Sequence, residues 1–277
     1  MINPKQKYKK LYENMPLSNY DIISEIDFVI EMLTGLSSSD ILLGKEISPS
    51  DDEKIYSVLY ERTKTKRPIQ QIIGKAYFAG EKYFVDENTL IPRPETEFLV
   101  DFCKKQFPQD KNLNILDIGT GTGCIAVELA KFFFNSKITA VDICQATLDT
   151  ASKNAIYHCV SDRIDFLKSD VFSNVKGVFD LIVSNPPYIP YSMKIQQDVY
   201  DFEPHAALFA DNDGLFFYEK IIVQAKKFLK NNSCVAFEVG FNQGHDVYTL
   251  FEKNGYVNIS FTQDCDSINR VVSAYLQ

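Results

Sequence analysis

The chain reads as an α/β protein built on a doubly wound, mostly parallel sheet, preceded by a small helical module. Three features of its 277 residues carry that reading. From residue 112 onward, strand-like and helix-like segments alternate. One strand, NLNILDI (112–118), runs directly into a glycine loop. A later strand, VFDLIVS (178–184), ends in Asn185-Pro186-Pro187-Tyr188.

Residues 1–70 follow a helical period. In SNYDIISEIDFVIEML, Ile22, Ile26, Val29, Ile30 and Leu33 recur on one face, with Ser18 or Asn19 as the cap. Gly35 and Ser37 to Ser39 break the pattern, and a short apolar turn, Ile41-Leu42-Leu43, follows. SPSDDEKIYSVLYERTK is a second helix, capped by Ser48 or Ser50, with acids in its first turn and Ile55, Val58 and Leu59 on one face. AYFAGEKYFVDENTLI (76–91) changes to aromatic and β-branched residues with turns near Gly80 and Glu87-Asn88, which predicts a β-hairpin. In IPRPETE, Pro92 and Pro94 exclude helix, and Glu95-Thr96-Glu97 opens one.

The remaining elements then alternate. CIAVELAKFFF is a helix, KITAVDI a strand, QATLDTASKNAIYH a helix and IDFLKS a strand. After VFDLIVS come the helix DGLFFYEKIIVQAKKFLK, the strand CVAFEVG and the helix QGHDVYTLFEKNG. YVNISFTQ and RVVSAYL, joined by a short polar turn, pair antiparallel at one edge. The expected domains are therefore 1–74 (helical), 75–92 (hairpin linker) and 93–277 (catalytic).

Composition narrows the function. The net charge is −8, and residues 1–74 hold ten basic and eleven acidic side chains, which leaves −7 for the rest. An acidic main domain argues against backbone-driven nucleic-acid binding, which needs Lys and Arg to displace counterions. No apolar run reaches the ~18 residues of a membrane span, and the basic N-terminus has no apolar stretch behind it, so no secretory signal is expected. Six cysteines lie at 103, 124, 144, 159, 234 and 265 with no C-x-x-C pair, and the three histidines are far apart. No metal site is expected, and scattered thiols point to a reduced, cytoplasmic setting.

The loop Gly119-Thr120-Gly121-Thr122-Gly123 has the strand–loop–helix context of a nucleotide-binding turn. Nineteen residues past Gly123, at the end of the next strand, Asp142 can accept both hydroxyls of a ribose. The spacing is not G-x-G-x-x-G, and no Lys-Ser/Thr follows, so neither a dinucleotide fingerprint nor a P-loop is present. Asp117 leads into the loop. A carboxylate there repels a pyrophosphate and suits a sulfonium or ammonium, which favours S-adenosylmethionine over NAD or ATP. The alternative is a glycine turn that serves only strand–helix packing.

If the sheet order reverses after the third strand, Asn185-Pro186-Pro187-Tyr188 faces the same crevice. A planar NH₂ attacks a methyl group poorly because its lone pair is delocalised. The Asn185 oxygen can accept one N–H and a prolyl carbonyl, assigned to Pro186, the other. Two fixed acceptors favour pyramidalisation of the nitrogen. Pro187 stiffens the turn, and Tyr188 can stack on a flat amide or base. The alternative is a proline-rich strand end with Tyr188 covering the core.

The pairing of this loop and turn resembles the amino-methyltransferases that act on adenine or on side-chain amides. Arg67-Pro68-Ile69-Gln70-Gln71-Ile72-Ile73-Gly74 resembles the R-x-P-x-Q-x-I-x-G signature, and Pro92-Arg93-Pro94-Glu95-Thr96-Glu97 a PRPETE hallmark. Asp198-Val199, Glu203-Pro204, Ala207-Leu208 and Asp213-Gly214-Leu215 resemble the stretch that follows. From about residue 67 onward the chain is similar to the peptide chain release factor glutamine methyltransferases of the HemK/PrmC type. The resemblance implies a Rossmann-like class I S-adenosylmethionine-dependent fold. It implies methylation of the glutamine amide in the Gly-Gly-Gln loop of class I release factors. It also implies cofactor contacts from Gly119 to Gly123, Asp142, Val171 and Asn185, with 185–188 holding the glutamine. Val171 stands where some members carry an aromatic, Cys144-Gln145 where a Ser is common, and the turn Asp264–Arg270 lacks the family's Gly. Cys124 reads as a packing residue, His205 as a surface-loop residue, and Glu238 as a strand-end acid that lines the crevice or binds backbone amides. Rival functions are adenine N6 methylation, methylation of a ribosomal-protein glutamine, and a non-catalytic protein docking on translation factors.

Overall fold

The all-helical pattern of the first part ends near residue 75, and the backbone follows it. The computed structural model describes residues 4–277; residues 1–3 of the expected helical domain lie outside the described residues. The first part folds as α1 (Pro4–Lys9), α2 (Asn19–Thr34), α3 (Ser38–Leu42), α4 (Pro49–Thr65) and α5 (Ile69–Ile73). Ser18 caps α2 in a capping box with Asp21, and Ser48 caps α4 with Pro49 in its first turn. Ile41 and Leu42, expected in a turn, are helical instead. Ser37 forms its own capping box with Asp40, enough to start the short α3. Tyr8, Tyr12, Ile26, Val29, Ile30, Ile55 and Leu59 close a small core. Beside it the buried Arg62 pairs with Glu25 at 2.9 Å, and the Tyr12 hydroxyl donates to the same carboxylate at 2.8 Å.

A hairpin follows, β1 (Lys75–Phe78) and β2 (Glu81–Phe84), turning on Ala79 (φ 50°) and Gly80 (φ 76°). Two successive left-handed residues match the twist of a tight hairpin. α6 (Pro94–Gln106) starts at Pro94 itself, because a first-turn residue has no intrahelical N–H bond to lose. Then come β3 (Asn114–Ile118), α7 (Cys124–Phe132), β4 (Lys137–Asp142), α8 (Gln145–Tyr157), β5 (Ile164–Lys168), β6 (Phe179–Ser184), β7 (Ile189–Pro190) and α9 (Gln197–Phe202). The chain ends with β8 (Phe209–Ala210), α10 (Phe216–Ala225), β9 (Leu229–Glu238), α11 (Gly244–Lys253), β10 (Val257–Gln263) and β11 (Asn269–Leu276). α10 is shorter than its apolar pattern predicts. Leu229 pairs with Phe179 of β6, and the Phe179 N–H donates to Phe228 O at 2.7 Å, so the sheet takes the last residues of the expected helix.

The seven-stranded sheet has the order β10-β11-β9-β6-β3-β4-β5. β11 is antiparallel to both neighbours, and the other strands are parallel. Alternation along the strands feeds two cores. Ile115, Leu181, Val183 and Ala236 face α6, α7 and α8; Leu116, Ile182, Val235 and Phe237 face α10 and α11. This is the Rossmann-like, doubly wound architecture. By contacts the chain forms two compact units. One takes the described residues up to Lys75 together with Gln196–Phe202, and the other takes 76–195 and 203–277. The short α9 therefore belongs with the helices, where Asp198 reaches Arg62 at 3.5 Å and Gln71 Nε2 donates to Phe202 O at 2.9 Å.

The turn between β10 and β11 shows what replaces the missing glycine. The Asp264 carboxylate accepts from Asp266 N (2.9 Å), Ile268 N (3.0 Å) and Arg270 Nε (2.7 Å). Ser267 fills the glycine position at φ 62°. A left-handed L-residue costs roughly 1–2 kcal/mol and a glycine roughly 0.5–1 kcal/mol of extra chain entropy. Ser267→Gly should therefore raise the stability seen in urea unfolding by about 0.5–1 kcal/mol. A loss of stability would show that the serine is held there by an interaction of its own.

Candidate active site

Sheet order reverses between β3 and β6, because the chain crosses back after β5 to lie on the other side of β3. A crevice opens outside the strand ends at such a point. Here it has a volume of about 600 Å³, lined by the glycine loop, Asp142, Val171, Asn185, Pro186 and Pro187, with Leu90, Arg93, Thr96, Tyr191 and Phe209 completing the wall. All of these lie within the sheet-bearing unit.

The three loop glycines have φ of 70°, 55° and 78°, yet they serve two needs. A Cβ on Gly119 or Gly121 would meet open space, whereas one on Gly123 would stand 3.0 Å from the Ala151 Cβ. The first two leave room above the loop; the third lets α7 close on α8. Gly119 N and Thr120 N both donate to Val141 O (2.9 and 3.0 Å), which pins the loop to β4. Asp142 accepts from Gly121 N at 3.2 Å and from Cys144 N at 3.0 Å, so it holds the loop and the start of α8 while facing the crevice. Burial raises its pKa. Asp117 is placed differently: it is fully buried and is not part of the crevice wall. Thr120 Oγ1 donates to its Oδ2 at 2.6 Å, its Oδ1 has no partner, and burial pushes its pKa up to about 7. It is an orphaned acceptor sealed under the loop.

Asn185, Pro186 and Pro187 line the crevice, but Tyr188 does not. Its ring packs into the core on the α10 and α11 side, and its hydroxyl donates to Glu238 Oε1 at 3.3 Å. The stacking face expected of it is turned inward. Asn185 Nδ2 donates to Thr96 Oγ1 at 3.1 Å. Gln243 Nε2 donates to Tyr188 O (2.9 Å) and Asp213 O (3.2 Å), while its Oε1 accepts from Gly240 N (3.3 Å). A Cβ on Gly214 would lie 2.1 Å from Tyr188 O, which explains a glycine in the Asp213-Gly214-Leu215 stretch.

Other residues support the crevice from outside the glycine loop and the Asn185–Tyr188 turn. The buried Glu203 accepts from Ile91 N at 3.0 Å and pairs with Arg93, which ties Glu203-Pro204 to the IPRP segment. Asn154, fully buried on α8, bonds Phe84 N and O (2.7 and 2.9 Å) and Thr122 O (2.9 Å), joining hairpin to glycine loop. Val171 has φ 51°, a strained value for a β-branched residue, and its carbonyl accepts from Ser169 Oγ at 2.9 Å. Cys124 is a buried packing residue, and His205 lies edge-on to Phe209.

Glu238 lies beneath the turn rather than in the crevice wall, 1% exposed, with Oε2 unsatisfied. Burial pushes its pKa from 4.5 up to about 7. The fold thus favours the protonated form. That contribution to stability is whole below pH 4.5 and is lost as pH rises through about 7. Glu238→Gln removes the titration, so its melting temperature relative to wild type should climb between pH 4.5 and 7.5. A constant difference across that window would mean that Glu238 titrates as an ordinary carboxylate.

Among the described residues no group of three or more His, Cys, Asp and Glu side chains is arranged to hold a metal, all six cysteines are free, and no helix is long and apolar enough to cross a membrane. Residues 94–217 match the family model "Methyltransferase small domain". A release factor glutamine methyltransferase of Flavobacterium psychrophilum is 37% identical over 261 residues, which covers 91% of each chain. One from Streptococcus pneumoniae is 40% identical over 233 residues, 83% of this chain and 82% of that one. Among solved structures, a methyltransferase from Pyrococcus furiosus aligns with a TM-score of 0.54 at 18% identity over 80% of this chain and 98% of that one, a likeness of fold. Identity of this extent, across nearly the whole of both chains, shows that the chain belongs to the release factor glutamine methyltransferase family.

Proposed function

We propose that the chain transfers a methyl group from S-adenosylmethionine to the side-chain amide nitrogen of a glutamine, the one in the Gly-Gly-Gln loop of class I peptide chain release factors. The observation that carries the reading is Asn185 at the crevice wall, with one N–H of its amide donated to Thr96 Oγ1. The residues present fit the cofactor. Gly119 and Gly121 leave space for a ligand against the backbone, Asp142 faces the crevice, and the orphaned Asp117 oxygen suits a nearby positive charge. S-adenosylmethionine supplies, when bound, an electrophilic methyl group on a sulfonium.

The chain's own residues do the rest. Gly119 to Gly123 and Asp142 bind the nucleoside part, with Val171 against the base. The Asn185 oxygen and the Pro186 carbonyl accept the two N–H groups of the target amide, which orients its lone pair toward the methyl group and stabilises the positive charge that grows on nitrogen. The nitrogen becomes acidic only as the C–N bond forms, so no strong general base is required. Tyr188 and Pro187 hold the turn rigid. The helical unit supplies a second docking surface, since one glutamine side chain offers little to select on; Tyr20, Leu42 and Leu43 are exposed on it. The −7 charge outside residues 1–74 argues against nucleic acid as the substrate and against stable nucleic-acid binding. A translation factor as substrate places the protein in the cytoplasm.

Mass spectrometry of release factor, of a Gly-Gly-Gln peptide and of adenine-containing DNA after incubation with the enzyme tests the reading. Intact release factor should gain one methyl on the glutamine, the peptide should be a poor substrate, and DNA should stay unmodified. Asn185→Ala should lower turnover by about 100-fold or more, as for loss of a preorganised polar group. Faster methylation of DNA than of release factor, or full activity of the Ala variant, would overturn it. Asp142→Ala should weaken S-adenosylmethionine binding by ~1.5–3 kcal/mol in calorimetry, with much of the rate restored at saturating cofactor. Unchanged binding would make Asp142 purely a brace for the loop.

A further inference from the structure

One side chain outside the crevice wall, the half-buried Gln243, grips the far end of the Asn185–Tyr188 turn. Its Nε2 donates to Tyr188 O at 2.9 Å and to Asp213 O at 3.2 Å, and its Oε1 accepts from Gly240 N at 3.3 Å. All three partners are backbone groups of fixed polarity. Two carbonyls can only accept and an N–H can only donate, so a reversed amide would set like against like at every contact. We propose that Gln243 is a positioning residue for methyl transfer: it braces the Tyr188 carbonyl against the strained segment Asn212-Asp213-Gly214 and so fixes where Asn185 and Pro186 stand in the crevice. The proposal rests on the glutamine-methylation reading and deepens it.

The turn needs such a brace at one end more than at the other. It begins at the close of β6, in the middle of the large sheet, where Ser184 Oγ also donates to Ile118 O at 2.7 Å. Pro186 and Pro187 then contribute no N–H. At the far end the Ile189 N–H donates to Leu208 O at 2.9 Å, but β7 and β8 share only two residue pairs, and one of these contains Pro190. A two-residue ladder is weak support, and Gln243 acts one residue before it. Two glycines make room for the amide. A Cβ on Gly214 would lie 2.1 Å from Tyr188 O and 2.4 Å from Gln243 Nε2, and one on Gly240 would lie 2.6 Å from Gln243 Oε1.

The segment that Gln243 braces against is itself strained. Asn212, Asp213 and Gly214 have φ of 56°, 51° and 83°, three successive left-handed residues of which two carry side chains. Such a run persists only where its surroundings over-determine it. Gly214 N donates to Asp211 O at 3.1 Å, Leu215 N to Asn212 O at 2.9 Å, and Gln243 supplies the bond to Asp213 O. Asp211 and Phe216, on either side of the segment, line the crevice, as do Asn185 and Pro186. One amide therefore ties the Asn185 turn to the wall at the start of α10. Without it, two carbonyls lose their shared donor, and the strained segment and the turn relax independently. A displacement of about 1 Å in a positioning group is enough to cost roughly 100-fold in rate.

The test uses Gln243→Met, of similar length without donors, and Gln243→Glu, of the same shape with a carboxylate aimed at both carbonyls. Gln243 is half-buried and follows the exposed Phe241 and Asn242, so both variants should fold. Each should lose about 10–100-fold in kcat on release factor, with calorimetric affinity for S-adenosylmethionine within about twofold of wild type. Gln243→Glu should lose at least as much as Gln243→Met. Combined with Asn185→Ala, Gln243→Met should cost far less than it does alone, because the group it positions is already gone. Wild-type kcat in either variant, a loss confined to KM or to cofactor affinity, or full additivity with Asn185→Ala would overturn the proposal. Crystal structures of wild type and Gln243→Met give an independent readout: the Tyr188 peptide and Asn185 should move, and an unmoved turn refutes the brace. Wild-type enzyme that leaves release factor unmethylated would sink the functional reading instead, and the pair of structures would still decide whether Gln243 holds the turn.

Discussion

A turn with two prolines cannot hold itself. Pro186 and Pro187 have no N–H to donate, so the geometry of Asn185 to Tyr188 depends on groups supplied from elsewhere. Those groups come from four places in the chain. Thr96 on α6 takes the Asn185 amide, Glu238 at the end of β9 takes the Tyr188 hydroxyl, and Gln243 before α11 bonds the Tyr188 carbonyl. Gly214, before α10, contributes by having no side chain where one would collide with that carbonyl. Ser184 adds a fifth tie, its hydroxyl on Ile118 O at 2.7 Å, which fastens the strand end to β3. Only the order of the sheet brings these groups together. The placement of β6 between β3 and β9 is therefore what gives the four residues of the motif a fixed geometry at the crevice.

This dependence explains what could be read from the sequence. Signals carried by adjacent residues were legible: the caps at Ser18 and Ser48, the glycine loop, the strand-end Asp142, the antiparallel closing strands and the PRPETE-to-helix transition. The resemblance to a known family named the chemistry as well. Signals carried by distant residues were not. Nothing near Asn154 announces that its amide joins the hairpin to the glycine loop, and Gln243 lies 55 positions from the carbonyl it holds. The end of α10 failed for a related reason: apolar periodicity extends the helix through Leu229, and pairing with Phe179 overrides it. Tyr188 shows the limit for a side chain. Its position was legible, but whether its ring faced the crevice or the core depended on Glu238, which a strand-end pattern does not orient.

The acids make the same point in energetic terms. Asp117, Asp142 and Glu238 all stand near the ends of parallel strands and look alike in sequence. Asp142 faces the crevice and already satisfies two backbone N–H groups, Asp117 is sealed beneath the loop, and Glu238 is sealed beneath the turn. Burial raises all three pKa values, to about 7 for Asp117 and Glu238. Carboxylates kept so close to neutrality are costly to ionise, and each retains an orphaned oxygen in the two sealed cases. A cationic ligand bound above the loop would offset that cost for Asp117. Glu238 instead accepts from the Tyr188 hydroxyl. One residue type at one kind of position thus faces the crevice in one place and is sealed beneath a loop or a turn in the others.

The acceptor pair proposed for the turn is chemically undiscriminating. A glutamine amide and an adenine amine are both planar NH₂ groups with two hydrogens, and the Asn185 oxygen with the Pro186 carbonyl satisfies either. Discrimination must be made where the two substrates differ, in the charge of their backbones and in the shape of the surrounding macromolecule. A nucleic acid would have to bring its phosphates to a unit that carries most of the net negative charge of the chain. A protein pays no such penalty and can use apolar contact, for which the helical unit exposes Tyr20, Leu42 and Leu43. Chemistry and choice of substrate are then separable by construction. On the proposed function, the turn and its supports determine that an NH₂ is methylated, while surface charge and the helical unit determine which NH₂ arrives. A change at Asn185 should alter turnover without altering the preferred macromolecule, and a change at Leu42 or Leu43 should alter preference without touching the turn.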